Sequence, residues 1–204
     1  MRPLTLDDLL PLGEYAARRR EFFEAHARYL NRYRRVRVGP RVSLIFENRQ
    51  TLWFRVQEIL RVARLSEGAR VQDELQFYNR LLPGPEQLQA TLILDTLEQT
   101  STAEELAFGA TLAGDAIGLQ LGDHRFPARL WTSRPEDLCI GASHWVEFTM
   151  RAETRKYLAD LRLPACCAVT HANYQHTSAP LSEEVRQSLL EDLDLSDKDG
   201  TGEM

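Results

Sequence analysis

Helical and strand-like hydrophobic patterns occupy different parts of this chain, and that separation is what most limits the fold it can adopt. In the first 85 residues, apolar side chains recur every three or four positions, which is typical of helices that bury one face. From about 88 to 170 the pattern changes to short alternating or continuous apolar runs, which predict β-strands. Segregated helices and strands favour the α+β class. We therefore predict a mixed, mostly antiparallel sheet with helices packed on one face and a long N-terminal helix.

The individual elements follow from the same periodicities. The long helix is predicted over about 14–35, where Tyr15, Phe22 and Tyr29 fall on one face. Thr51 is the expected N-cap of a second helix. A strand containing Pro127 is predicted to lie at a sheet edge, because proline cannot donate to the ladder. Further helices are predicted over 71–82, over 151–161 and from Ser182, and strands over 41–46, 88–94, 116–121, 126–131, 145–150 and 165–170.

One domain over 1–193 is the expected organisation, followed by an acidic, disordered tail over 194–204. With 204 residues, 43% of them hydrophobic, the chain is long enough to bury a core without disulfides. No apolar run approaches the ~20 residues of a membrane span, and the N-terminus lacks a secretory signal. The three cysteines include no Cys-x-x-Cys pair. We therefore expect a cytoplasmic protein.

Positive charge is concentrated near the N-terminus. Residues 1–70 contain 15 arginines and 8 acidic residues, whereas residues 71–204 contain 10 basic and 22 acidic residues. We expect the basic helix to pair with acidic segments of the same chain, because charge runs usually belong to internally compensated or solvated faces. Nucleic-acid binding through this Arg-rich helix is the less favoured alternative.

A first polar cluster follows the strand predicted over 41–46. It consists of Glu47, Asn48 and Arg49, joined by Gln57 and Glu58 of the next helix. The two glutamates could ligate a metal ion or act as an acid–base pair. The alternative, which the spacing favours, is that both glutamates form local ion pairs with nearby arginines and that Asn48 is a turn residue.

A second polar cluster follows the strand predicted over 165–170. His171 and His176 could bind iron, manganese or zinc together with a carboxylate, with Asn173 and Tyr174 between them. Their separation of five residues requires a loop to bring them together. The favoured alternative is a turn in which Asn173 adopts a special backbone angle and His171 bonds to main-chain carbonyls.

Four stretches of the chain together resemble one bacterial family, domain of unknown function 3501. They are LTLDDLLPLGEY near the N-terminus, the segment from Arg34 to Arg61 that contains FENR, the strand QATLIL, and THANYQH at 170–176. The similarity spans about 4–193. The family usually carries His-Pro-Asn-Tyr, whereas this chain has Ala172 in the second position. The resemblance implies an association with rubrerythrin-like proteins and iron–sulfur oxidoreductases and assigns no activity.

These observations lead to one main hypothesis and two alternatives. The main hypothesis is an accessory protein of redox or oxidative-stress metabolism, possessing a metal site. Its first ligands would be His171, Glu47 and Glu58, with Tyr174 orienting a ligand and Arg49 balancing charge. The first alternative is a protein-interaction module or homodimer without catalysis that uses the aromatic stripe over 15–33. The second alternative is the nucleic-acid binding described above.

Overall fold

The computed structural model describes residues 1–95, 103–104, 107–108, 112, 114–130, 143–171 and 174–200, and the last side chain described is that of Asp194. The α-helices are α1 (Leu12–Tyr29), α2 (Arg49–Ala63), α3 (Gly68–Asn79), α4 (Ala152–Ala159) and α5 (Glu183–Gly200). The strands are β1 (Arg35–Val38), β2 (Val42–Phe46), β3 (Gln87–Leu94), β4 (Ile117–Leu121), β5 (His124–Leu130), β6 (Ser143–Thr149), β7 (Ala165–His171) and β8 (Tyr174–Thr177).

The eight strands form one sheet in the order β1-β2-β3-β6-β5-β4-β7-β8, and every described pairing is antiparallel. The two edge strands approach each other, because the Tyr174 hydroxyl of β8 donates a hydrogen bond to the Val38 carbonyl of β1 at 2.5 Å. Gly39 permits this approach: its φ is +70°, and a Cβ there would come within 2.5 Å of the His176 ring. The sheet is therefore strongly curved.

Alternating side chains of the strands contribute to two separate cores. The inner face carries residues such as Leu44, Leu92 and Phe148, which pack with Val185 and Leu189 of α5. The outer face of β2, β3 and β6 is covered by α2 and α3, whose apolar residues form the second core with the N-terminal segment. The α+β fold with its long N-terminal helix is confirmed. One detail differs: α5 covers the face opposite to α2 and α3.

The end of the first helix differs from the prediction. Helix α1 gives way to a π-helical turn, Leu30–Arg34, and then to strand β1. The sequence of β1, Arg-Val-Arg-Val, alternates exposed and buried side chains as a strand does. Because the chain must become a strand at this point, α1 ends about one turn before the end of the aromatic stripe at 33.

One further expectation, the edge position of the strand that contains Pro127, is corrected by the topology. Pro127 lies in β5, an interior strand between β6 and β4. The pairing of β5 with β6 covers only Ala128–Leu130, so the missing N–H of Pro127 lies beyond that ladder. Helix α5 continues to Gly200, into the segment predicted to be a disordered tail. The division into one domain and a tail stays a prediction. No described helix is long and apolar enough to span a membrane.

Ion pairs within the chain join the basic N-terminal part to the acidic C-terminal helix. Arg32 pairs with Glu184 of α5 at 2.8 Å, and Arg34 pairs with Asp192 of the same helix. The N-terminal positive charge is thus partly neutralised by the acidic C-terminal helix, as expected. Between positions 18 and 35 the chain has seven arginines, and five of them form ion pairs with described residues: Arg18, Arg19, Arg20, Arg32 and Arg34.

Candidate functional site

Glu47 is buried directly after β2, and its carboxylate accepts three side-chain hydrogen bonds. The hydroxyls of Thr51 and Thr91 and the Arg55 guanidinium each donate to its carboxylate at 2.5 Å. Its side chain is 1% exposed. Burying a carboxylate is unfavourable unless it is paired and hydrogen-bonded, and here both conditions hold. The ion-pair interpretation of Glu47 is therefore right in kind, but the partner is Arg55 and not Arg49.

Asn48 caps helix α2, a role that the sequence assigned to Thr51. Its side-chain oxygen accepts hydrogen bonds from the backbone N–H groups of Gln50 and Thr51, both at 3.1 Å. Its amide nitrogen donates to the Tyr29 hydroxyl at 2.9 Å and to Asp192 at 3.2 Å. Asn48 thus satisfies the first N–H groups of the helix and also joins a polar network formed by α1, the π-helical turn and α5.

That network is centred on a buried ion pair between Arg34 and Asp192. Their side chains are 3% and 5% exposed, and Arg34 also donates to Ser188 at 2.7 Å and to Tyr29 at 2.9 Å. Burial raises the pKa of Asp192, against the opposing effects of Arg34 and Asn48. A cleft of about 510 Å³ opens above the network and is lined by Tyr29, Tyr33, Arg34, Asn48, Gln50, Glu184, Gln187, Ser188, Glu191 and Asp192.

Arg49 and Glu58 both hold other helices or segments in place. Arg49 pairs with Asp8 at 2.6 Å, which tethers the N-terminal segment to α2. This hydrogen bond is the main reason why the pKa of Asp8 falls to about 2. Glu58 accepts hydrogen bonds from Arg19, Arg61 and Tyr15; although burial opposes ionisation, these donors lower its pKa to about 2. A carboxyl group with so low a pKa is poorly suited to proton transfer near neutral pH.

The remaining residue of the first cluster, Gln57, is fully buried in α2. Neither its side-chain oxygen nor its nitrogen has a hydrogen-bond partner among the described residues. A buried amide without partners destabilises a fold, so such groups are rare. Gln57 is not among the residues that line the cleft above the Arg34–Asp192 pair.

The second cluster lies at the other end of β2. Tyr174 bonds to the β1–β2 turn, donating to Val38 and accepting from the Arg41 N–H at 3.0 Å. His171 is opposite Tyr174 in the β7–β8 pairing, and the His176 ring packs 4.3 Å from the Tyr174 ring. THANYQH therefore contributes to a hairpin, β7–β8, that brings the sheet edges together. Asn173 lies outside the described residues.

The structure does not bring the two clusters into one site. Arg41, whose N–H bonds to Tyr174, lies six positions before Glu47 along β2, which corresponds to roughly 20 Å at ~3.3 Å per residue. Within the described part of the chain, no three His, Cys, Asp or Glu side chains are grouped as metal ligands. The predicted single site is therefore divided in two. Binding of iron, manganese or zinc stays a prediction, as does association with rubrerythrin-like or iron–sulfur proteins.

The aromatic stripe of α1 packs inside the chain. Tyr15 is fully buried, and its ring stacks on Phe22 with centroids 5.4 Å apart, while both rings meet the edge of Trp53 in α2. His26 stacks on Phe54 at 3.9 Å, and burial lowers its pKa to about 4. This part of the stripe therefore contributes to the α1–α2 contact, whereas Tyr29 and Tyr33 line the cleft beside α5. Dimerisation itself stays a prediction.

A second cleft, which we call the apolar pocket, lies between α2, α3 and the outer face of β3 and β6. Its volume is about 390 Å³. Two of the groups bonded to Glu47, Arg55 and Thr91, reach its surface, so Glu47 lies beneath it. The lining residues are Arg55, Glu58, Ile59, Val62, Phe77, Tyr78, Thr91, Ile93 and Trp145.

Sequence reasoning found Glu47 and Glu58 but missed the rest of the apolar pocket. Arg55, Tyr78 and Thr91 come from α2, α3 and β3, and no local motif links them. The only available signal was the spacing of Glu47, Thr51 and Arg55, which places successive side chains on one face of a helix start.

Comparison with known proteins gives a family and a fold. A family model described as protein of unknown function (DUF3501) matches residues 3–193. A crystal structure titled as a novel protein of unknown function from Burkholderia pseudomallei K96243 is similar, with a TM-score of 0.82 and 26% sequence identity. The match covers 95% of this chain and 100% of that one. No curated protein matches the chain.

Proposed function

The chain belongs to the family of proteins of unknown function DUF3501, and we propose that it is a non-catalytic binding protein whose apolar pocket holds a small, largely apolar molecule. One observation carries this proposal: an apolar cavity of about 390 Å³ has a fixed polar group, Arg55, on its wall. Small-molecule sites are usually concave, mostly apolar and of ~300–1,000 Å³, with a few well-placed polar groups.

The pocket is built before any ligand arrives. The Arg55 guanidinium is held at 2.5 Å by Glu47, which is itself held by Thr51 and Thr91. Two elements therefore anchor one arginine: the start of α2 and the middle of β3. Such pre-organisation lowers the entropy that binding would otherwise lose in ordering a long side chain.

The carboxylates of Glu47 and Glu58 are better suited to supporting a binding pocket than to acid–base catalysis. Glu58 has a pKa of about 2 and accepts hydrogen bonds from three side chains. Glu47 accepts three short hydrogen bonds and is nearly inaccessible. Each group stabilises the architecture around the pocket, and the burial of Glu47 keeps its carboxylate away from a substrate.

The test is titration with N-phenyl-1-naphthylamine, a neutral apolar dye that fluoresces when it leaves water. We expect saturable binding of one dye per chain. Val62 lies on the rim of the pocket, and Val62→Glu should weaken binding about fivefold, since losing ~40 Å² of apolar contact corresponds to ~1 kcal/mol.

Leu161→Glu is the matched control, because Leu161 is also an exposed large hydrophobic residue and lies outside the pocket. Its dye affinity should equal that of the wild type. Non-saturable binding by the wild type, or equal affinities of the two variants, would overturn the proposal.

A further inference from the structure

The hydrogen-bond acceptors around the apolar pocket are already occupied. Glu58 accepts from Tyr15, Arg19 and Arg61, using both of its oxygens. Glu47, beneath the pocket, accepts three hydrogen bonds in the same way. An ammonium or amide group on a ligand would therefore find no free carboxylate there.

The hydrogen-bond donors, in contrast, are only partly used. Arg55 donates to Glu47 through one nitrogen, and its other N–H groups make no hydrogen bond to a described residue; its side chain is 30% exposed. Tyr78 lines the pocket and is 5% exposed, and its hydroxyl has no hydrogen-bond partner among the described residues. The Tyr78 hydroxyl is accessible from the pocket, so it can donate a hydrogen bond to a ligand atom there.

The side chains of the pocket walls indicate what kind of molecule the pocket can hold. Ile59, Val62 and Ile93 are aliphatic, and the Trp145 ring meets the Phe77 ring at 5.6 Å beside them. An extended hydrocarbon or an aromatic ring fits such a surface. Glu74, one turn before Tyr78 on α3, is not part of the lining.

Resting on the proposed function, we propose that the ligand of the apolar pocket is an amphipathic carboxylate, with its hydrocarbon body against the apolar walls and its carboxylate bound by Arg55 and Tyr78. A carboxylate supplies acceptors only, which is what the unused donors require. The planar guanidinium can give two parallel N–H donors to a carboxylate, an arrangement that a neutral hydroxyl cannot match.

The test compares octanoate, 1-octanol and octylamine at neutral pH by calorimetry or NMR titration. The three probes share one hydrocarbon body and differ only in the head group. We expect octanoate to bind about tenfold more tightly than octanol, as charge-assisted hydrogen bonds are roughly twice as strong as neutral ones, and octylamine to bind most weakly.

Tyr78→Phe removes a hydroxyl that has no partner in the described chain, so the variant should fold normally. The ratio of octanoate affinity to octanol affinity should be several-fold lower in this variant than in the wild type. Tyr157→Phe, a tyrosine outside the pocket, should leave the preference unchanged.

The outcomes separate the two proposals. Equal or tighter binding of octanol or octylamine would overturn the assignment of a carboxylate while leaving the pocket as a binding site. An unchanged octanoate preference in Tyr78→Phe would remove Tyr78 from the site and overturn the head-group geometry. Failure of all three probes to saturate, together with failure of the neutral dye, would overturn the proposed function itself.

Discussion

The ion pair between Arg34 and Asp192 provides the sharpest test of how α5 is held. Asp192→Asn keeps the shape of the side chain but removes its charge. The Arg34 side chain, which is only 3% exposed, is then left without a counter-ion. Arginine cannot lose its proton, so the uncompensated charge stays buried. Breaking one half of a buried ion pair is destabilising by ~3–5 kcal/mol. For a chain of this length, that is a fall of roughly 6–20 °C in melting temperature.

The matched control is Asp194→Asn, two residues further along the same helix. The Asp194 side chain is 72% exposed and lies 3.9 Å from Arg155, so its loss should change stability by less than ~0.5 kcal/mol. Urea denaturation followed by circular dichroism gives both values. A double variant, Arg34→Met with Asp192→Leu, should recover most of the lost stability. Equal stabilities of Asp192→Asn and Asp194→Asn would refute the buried pair and favour an undocked C-terminal segment.

Three further predictions concern other parts of the fold. Gln57→Met should raise the free energy of unfolding by ~1–2 kcal/mol, because it removes a buried amide whose two polar atoms lack partners among the described residues; a loss of stability in urea would show that the amide is bonded. Tyr174→Phe should lower the free energy of unfolding by ~1–3 kcal/mol, since the substitution removes the hydrogen bonds to the β1–β2 turn. Dye binding should not change. Undiminished stability would contradict this role of Tyr174. Stability should fall as pH drops from about 6.5 to 4.5, because the unfolded chain then protonates His26 while burial holds its folded pKa near 4. In thermal melts recorded at several pH values, His26→Phe should reduce this loss of stability. Burial also lowers the pKa of His144, so His144 should account for the loss that remains. An unchanged pH dependence in His26→Phe would refute the role assigned to His26.

Local periodicity was sufficient to predict much of the fold. The apolar run over 41–46 was predicted to be a strand, and it forms β2, which is paired on both sides and buried on both faces. Cys166 and Cys167 are adjacent in β7 and face opposite sides of the strand, so that Cys167 is buried while Cys166 is partly exposed.

The errors occurred where tertiary contacts override local preference. Both Asn48 and Thr51 are good N-cap residues, and only packing against Tyr29 and Asp192 determines that Asn48 is the cap. The ion pair between Asp192 and Arg34 likewise joins two residues that are 158 positions apart. Neither contact can be found from spacing along the chain.

The candidate site, like the fold, was only partly predictable from the sequence. The sequence singled out Glu47 and Glu58 because charged residues after a strand are conspicuous. It could not identify Tyr78, whose helical spacing with Val71 and Leu75 is that of an ordinary core residue. Whether such a side chain is packed or faces a cavity depends on how α3 lies over the sheet, which is a property of the folded chain.

The most direct test of the central claim is NMR of the tryptophan indole N–H groups during titration with octanoate. Trp145 lines the apolar pocket, whereas Trp53 lies between α1 and α2 with its indole bonded to the Asp8 carbonyl. Assignment uses Trp145→Phe and Trp53→Phe. We predict a saturable shift of the Trp145 signal while the Trp53 signal stays in place. Parallel shifts of both signals, or a Trp145 shift that never saturates, would contradict a ligand site in this pocket.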